Sequence, residues 1–333
     1  MNHIELFAGC GGLSLGLETA GFDLLVANEL SPMASETFAY NHLNADLDAQ
    51  KNIDKVFWVS SQHSKDNMKA RLRENPYEAG GLKSHHCSDL IELNPTSDQL
   101  KRSLLVGSII DINTILETKE SALLNSLKDG LGDGGVDLVS GGPPCQSFSL
   151  AGMRDHTHHR NNLPWEFARF VEKVKPKIAL LENVSGILRA FKIEGKQFYA
   201  WFEVAKAFAK IGYVPLCLHV NAKYVGTAQN RPRFIMISLR QDIYKSIVRN
   251  SKDHALIELL KPSAELYSRI KSGEDPEYGC LSYYDIDKDS SIFNSTILSP
   301  LASHKSKLVS VKNAIDDLRS TRVVESDYVS RIN

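Results

Sequence analysis

The stretch His3-Ile4-Glu5-Leu6-Phe7-Ala8-Gly9-Cys10-Gly11-Gly12 decides how the chain is read. A short, mainly apolar strand over 3–8 runs without a pause into a glycine-rich turn. A helix follows, with Leu13, Leu17 and Ala20 on one face and Gly21 as its stop. Asp23 to Asn28 reads as a second strand ending at Glu29, and Pro32 opens another helix that runs to about His42. Strand, glycine turn, helix, strand and acid, in that order, open an α/β fold with a doubly wound, mostly parallel sheet.

Outward from this start the rhythm breaks over 45–105, which holds nine Lys/Arg and nine Asp/Glu and is interrupted at Pro76, Gly80-Gly81 and Pro95. It reads as an insertion with some helix at Asn67 to Arg73. Leu104-Leu105-Val106-Gly107 resumes the sheet. Val136 to Val139 predicts a buried strand, cut short by Gly141-Gly142-Pro143-Pro144-Cys145-Gln146-Ser147-Phe148-Ser149. Leu163, Phe167, Phe170, Val171 and Val174 then repeat at helical spacing. Ile178 to Leu181 is a strand ending in Glu182-Asn183, and Phe198 to Phe208 carries an aromatic helical stripe that reads as core. Strands at Val214 to Val220 and Phe234 to Ser238 follow. Beyond 240 the alternation weakens, with Lys/Arg and Asp/Glu equal at fourteen each.

Composition narrows the class. A chain of 333 residues is one large domain or two ordinary ones, and 42% hydrophobic with 24% charged residues is ordinary for a globular protein. No apolar run reaches membrane-spanning length, and the N-terminus has no signal-peptide pattern, so a cytoplasmic chain without a membrane partner is expected. Five scattered cysteines give neither a disulfide framework nor paired metal spacing, and no metal is expected. His85-His86-Cys87 and the three histidines of 155–160 read as polar loops. The net charge of −1 leaves room for a local basic groove.

Several residue groups carry chemistry. Gly9-Cys10-Gly11-Gly12 opens a helix, so backbone N–H groups face whatever sits above it. The third glycine of a dinucleotide fingerprint would fall at Ser14, which fits pyrophosphate poorly. With Glu29 placed to accept ribose hydroxyls, an adenosine ligand without diphosphate suits better, and S-adenosylmethionine is the candidate. Cys145 and Glu182 end two strands, on one edge if both are parallel. A nucleophile and an acid converging there make a catalytic pair. The bland readings are a buried thiol for Cys145 and a helix cap or ion pair for Glu182. Gln229-Asn230-Arg231-Pro232-Arg233 offers two guanidinium groups for a phosphate or carbonyl oxygen, or merely an exposed rim.

Phe7-Ala8-Gly9-Cys10-Gly11-Gly12, Pro143-Pro144-Cys145-Gln146, Glu182-Asn183-Val184 and Gln229-Asn230-Arg231-Pro232-Arg233 occur in one order. That order resembles the cytosine-5 DNA methyltransferases of bacterial restriction-modification systems, over about 1–46 and 104–240. The resemblance implies a sheet of the S-adenosylmethionine-dependent methyltransferase type and methylation of C5 of a flipped-out cytosine in duplex DNA. It casts Cys145 as the nucleophile at C6, Glu182 as partner of the base edge, Arg233 as holder of the base O2 and Arg231 as its support. Phe7, Ala8, Gly9, Gly11, Gly12, Leu13, Glu29, Ser108, Ile109, Pro144 and Leu163 fall at cofactor positions. Gln146, Ser147, Ser149, Arg154, Arg160 and Gln229 are then DNA contacts, with His158 beside them.

Two departures stand out. The family's Gly-Asp-Ile motif is Gly107-Ser108-Ile109 here, with Asp111 three residues on. No target-recognition domain or Gly-Asn-Ser-Val-like motif is found in 240–333, although Ser310 to Leu318 resembles the segment that precedes target recognition. The expected division is a catalytic domain at 1–240 with an insertion at 45–105, then 241–333 as a linker toward a missing or separate recognition domain. A second polypeptide carrying the absent parts is the expected partner. A tRNA methyltransferase of the same family, an inactive regulatory subunit and a nicotinamide-dependent oxidoreductase are the rival readings.

Overall fold

The structure is a computed structural model that describes residues 1–59, 61, 63–76, 97–118, 121–144, 163–193 and 196–316. Strand β1 (Asn2–Leu6) leads to α1 (Gly12–Thr19), β2 (Asp23–Glu29), α2 (Pro32–Leu43), β3 (Val56–Trp58), α3 (Met68–Leu72) and α4 (Ser97–Leu100). Next come β4 (Ser103–Val106), α5 (Ile109–Leu116), α6 (Ala122–Lys128), β5 (Leu138–Gly141), α7 (Leu163–Val174) and β6 (Ile178–Val184). An antiparallel pair, β7 (Phe191–Ile193) and β8 (Lys196–Phe198), precedes α8 (Ala200–Lys210), β9 (Tyr213–Asn221) and β10 (Pro232–Arg240). The chain continues through α9 (Gln241–Asn250), α10 (His254–Lys271), β11 (Tyr284–Asp285), α11 (Ser290–Ser295) and α12 (Val311–Ile315).

Nine strands form one sheet in the order β11-β9-β10-β6-β5-β1-β2-β4-β3. All neighbours are parallel except β10, which runs antiparallel between β6 and β9. The mostly parallel, doubly wound sheet expected from the sequence is what forms. The central strands read as unbroken apolar runs because helices bury both faces. One face packs Ile4, Val139, Leu181 and Phe234 against Phe167, Trp201 and Phe208 of α7 and α8. On the other, Leu24, Ala27 and Leu104 meet Phe38 of α2, and Leu218 and Leu239 meet Leu259, Leu260 and Phe293.

Two expectations change. The 45–105 stretch contributes β3, an edge strand parallel to β4, and its helix is α3, capped by the Asn67 side chain. Within the stretch expected as a linker, residues 254–302 pack against the sheet. Helix α10 buries Leu259, Leu260, Ser263, Leu266, Tyr267 and Ile270, and β11 extends the sheet beside β9. Among the described residues no helix is long and apolar enough to cross a membrane.

Candidate active site

Strand polarity sets the site. Strands β6, β5, β1, β2 and β4 are parallel neighbours, so their carboxyl ends lie side by side on one edge. At about 4.8 Å per strand, Glu182 at the end of β6 and Glu29 at the end of β2 stand roughly 15 Å apart. The turn that leads to Cys145 and the glycine-rich loop leave from the two strands between them.

The loop after β1 is held mainly by main-chain bonds. Phe7, Gly9 and Gly11 take positive φ of 57°, 56° and 88°. At Gly11 the cause is steric as well, since a Cβ there would overlap the His42 ring. The Ala8 N–H donates to Asn28 O at 2.9 Å, and Gly11 N–H to Ala8 O at 2.9 Å. Glu29 closes the loop. Its Oε2 accepts from Gly9 N–H at 2.8 Å and its Oε1 from Ser31 N–H at 2.7 Å. Each oxygen keeps a further lone pair for a hydroxyl. A Cβ at Gly9 or Gly12 would meet nothing within 4 Å, so the loop borders open space. Amide-fixed acid, glycine loop and adjoining space fit the ribose and amino-acid parts of an adenosine-type ligand. Leu13 and Leu163 are half-buried and Pro144 is exposed, while Ile109 is packed in the core.

Ser14 explains its own departure from glycine. Its hydroxyl donates to the carboxyl of Glu5, a residue on β1 that is 2% exposed. Burial, outweighing the bonds from Ser14 and helped by the charges of Glu29 and Glu18, pushes Glu5 up to about 7. A buried acid under the loop carries no sequence signal beyond its place in an apolar run.

On the other side, Glu182 faces Arg233. β10 pairs antiparallel with β6, placing Arg233 opposite Val184 and Ile235 opposite Glu182, so the two charged side chains share a face. Arg233 Nε lies 2.5 Å from Glu182 Oε1, close but misaligned for a hydrogen bond, while its Nη1 donates to Pro232 O at 2.9 Å. A Cβ on Gly142 would stand 3.0 Å from Glu182 Oε2, so the turn leading to Cys145 grazes the carboxylate and any larger residue there would press on it. Asn183, 2% exposed, donates from Nδ2 to Pro143 O at 3.0 Å and ties this turn to β6. The structure thus brings Glu182, Arg233 and the Gly142–Pro144 turn together. Arg231 is exposed and its guanidinium makes no ion pair among the described residues; Gln229 is exposed in the same loop. Cys145, Gln146, Ser147, Ser149, Arg154, His158 and Arg160 lie outside the described residues, as do His85-His86-Cys87. No cluster of three metal-ligating side chains occurs among those described.

A further polar chain escaped the sequence reading. Ser185, just after β6, lies 3.0 Å from His219 Nε2, and His219 Nδ1 lies 2.9 Å from Asp285 Oδ2 on β11. Burial alone would raise the Asp285 carboxyl, but His219 and the N–H groups of Asp287 and Lys288 outweigh it and hold it below the usual range. The ionised Asp285 accepts a hydrogen bond from Nδ1–H, leaving Nε2 to accept from the Ser185 hydroxyl. The chain pins the turn after Glu182 to the far edge of the sheet.

Comparison with known proteins identifies the family. The model of the C-5 cytosine-specific DNA methylase family matches residues 1–62 and 109–327. The chain belongs to that family. Among its relatives, a type II methyltransferase of Desulfomicrobium norvegicum is 30% identical over 73% of this chain and 41% of its own length. One from Haemophilus parahaemolyticus is 25% identical over 95% of this chain and 62% of its own. The chain spans about half the length of the curated relatives it matches. An E. coli prophage protein proposed to be a DNA modification methyltransferase superposes with a TM-score of 0.44 at 24% identity, covering 73% of this chain and 48% of that one.

The family departure at Gly107-Ser108-Ile109 has a local account. Ser108 is the N-cap of α5 and accepts from Ile110 N–H at 3.1 Å, with Asp111 in the first turn behind it. Serine keeps the cap that an aspartate would also make, and gives up the second carboxylate oxygen. Asn28 steadies the same corner from Nδ2, donating to Leu105 O at 3.0 Å and Gly107 O at 2.9 Å.

Proposed function

We propose that this chain transfers a methyl group from S-adenosylmethionine to C5 of a cytosine in duplex DNA, through a covalent bond between Cys145 and C6 of the base. What supports the reading is the Glu182–Arg233 pair lying against the turn that leads to Cys145, on the edge that also carries the Glu29 loop. Cytosine C5 is a poor nucleophile. Addition of the Cys145 thiolate to C6 places an electron pair on C5, and Glu182 stabilises the activated ring by bonding at its N3/N4 edge. Arg233, released from its misaligned contact, turns to the base O2. Bound S-adenosylmethionine supplies the methyl electrophile at C5. Loss of the C5 proton then expels the thiolate and restores the aromatic ring. Phe7, Ala8, Gly9, Gly11, Gly12, Leu13, Glu29, Ser108, Ile109, Pro144 and Leu163 hold the cofactor in this reading, and Gln146, Ser147, Ser149, Arg154, Arg160 and Gln229 contact DNA.

The proposal includes a second polypeptide for target recognition. Much of the stretch where target recognition would begin, residues 254–302, packs against the sheet. Labelled S-adenosylmethionine and a duplex containing 5-fluorocytosine test both parts. An adduct that survives denaturation and is lost in Cys145→Ala supports the mechanism. Transfer to tRNA in preference to duplex DNA sinks the substrate assignment, and full sequence-specific activity without the product of an adjacent reading frame sinks the two-part assignment.

A further inference from the structure

Two long stretches of this chain contain no acidic residue: 204–241 and 290–315. Their 64 residues would hold about eight carboxylates at the chain's average of 40 in 333. They are far apart in sequence and meet in the fold. The loop between β9 and β10 leaves from the edge that carries Glu182, because β10 begins opposite the end of β6. The chain after β11 leaves from that edge too, since β11 is parallel to β9.

The junction is built rather than incidental. His304 N–H donates to Tyr224 O at 2.8 Å, and the His304 ring lies 3.3 Å from where a Cβ on Gly226 would stand. Phe293 and Leu298 are buried with Tyr224 beneath it. Lys223 Nζ and Lys305 Nζ lie 4.6 and 5.3 Å from the centre of the Tyr224 ring, which holds two flexible cations in place. Asn221 fixes the loop's other end, accepting from Arg231 N–H at 3.1 Å and donating to Asn230 Oδ1 at 2.8 Å. One carboxylate reaches the group. Asp287 accepts from the Tyr224 hydroxyl at 2.5 Å and lies 3.8 Å from Lys305. Lys223, Arg231 and Lys307 make no ion pair among the described residues. In a chain of net charge −1, this is a local cationic ledge at the ends of β10, β9 and β11, one to three strands from Glu182.

We propose that this ledge, with Lys223, Arg231, Lys305 and Lys307 as its cations, binds the phosphate backbone of duplex DNA beside the target base. The assignment rests on the DNA reading above. Lysines held over a fixed ring, with Asp287 the one carboxylate paired among them, suit contacts to phosphate, which orient a duplex without reading its sequence. Polar contact of this kind releases counterions, so it has a signature that a packing role lacks.

The test is fluorescence anisotropy of the full chain on a labelled duplex at several salt concentrations. Lys223→Gln with Lys307→Gln is compared with Lys245→Gln plus Lys252→Gln, which removes equal charge from exposed positions on α9 and just beyond it. Each phosphate contact contributes about 0.9 to the slope of log affinity against log salt. The ledge variant is expected to lose roughly 1.8 of that slope and on the order of tenfold affinity, and the charge-matched variant neither. Calorimetric S-adenosylmethionine affinity serves as the folding check. A ledge variant with the parental slope and normal cofactor binding overturns the ledge while the DNA reading stands. Binding of duplex without salt dependence by the unmodified chain overturns both.

Discussion

The two halves of the sheet edge are held in different ways. Around β1, β2 and β4 the site is a main-chain structure. Glu29 bonds two amides, Asn28 bonds two carbonyls, and Ser108 caps a helix. Around β6, β9, β10 and β11 the contacts run from side chain to side chain: Glu182 with Arg233, and Ser185 through His219 to Asp285. In the first half, the atoms proposed to meet the cofactor also hold the fold, so damage there is expected to cost stability and affinity together. In the second, a charged group can be altered with the backbone ladder intact, so damage there costs rate.

Glu182→Gln tests the second half most directly. It keeps the shape, removes the charge, and is expected to slow methyl transfer by about 10² to 10⁴, the usual worth of a positioned acid. Unfolding midpoint and S-adenosylmethionine affinity should be unchanged. A variant that melts early would show that the Glu182–Arg233 pair also holds the fold, and the contrast would fail.

The next effect belongs to Glu5. Its carboxyl is raised from 4.5 to about 7, so the folded chain keeps a proton that the unfolded chain has lost. That contribution is whole below pH 4.5, declines as pH rises toward 7, and is gone above it. Glu5→Gln, which keeps the Ser14 partner and cannot ionise, is expected to be close to neutral at pH 4.5 and more stable than the parent by up to about 3 kcal/mol at pH 8. Urea unfolding at successive pH values measures the difference. A gap that does not widen with pH would remove Glu5 from the account.

Glu29→Gln comes third. One of the two amide donors, on Gly9 or Ser31, then meets an NH₂ group, at a cost of about 1–3 kcal/mol. Stability and cofactor affinity are expected to fall together. If affinity falls alone, the main-chain half behaves like the other and the comparison breaks. The smallest effect is that of Ser185→Ala, about 1 kcal/mol for one lost hydrogen bond. It should appear as a lower kcat at an unchanged DNA KM, and an equal change in KM would assign the chain to binding.

How much was legible follows the same division. Strands β1, β2, β5, β6, β9 and β10 announce themselves because burial on both faces forces apolar runs, and the glycine turn and Glu29 sit where those runs stop. Cross-strand chemistry leaves no such trace. His219 and Asp285 are 66 residues apart and meet only through the register of β9 and β11. Arg231 and Arg233 look equivalent by alternation, yet β10 starts at Pro232, so only Arg233 is placed in the ladder against β6. Helix α10 is masked by its charges and by Pro262, which its buried stripe outweighs. Strands β3 and β11 are three and two residues long, too short to show a period.

Asn183 has a geometric consequence. The pairing of β5 with β6 ends at Gly141 opposite Leu181, and the amide of Asn183 reaches past that end to the carbonyl of Pro143. The distance from the acid at 182 to the first residues of the neighbouring turn is thereby set by one side-chain bond, beyond the reach of the strand ladder.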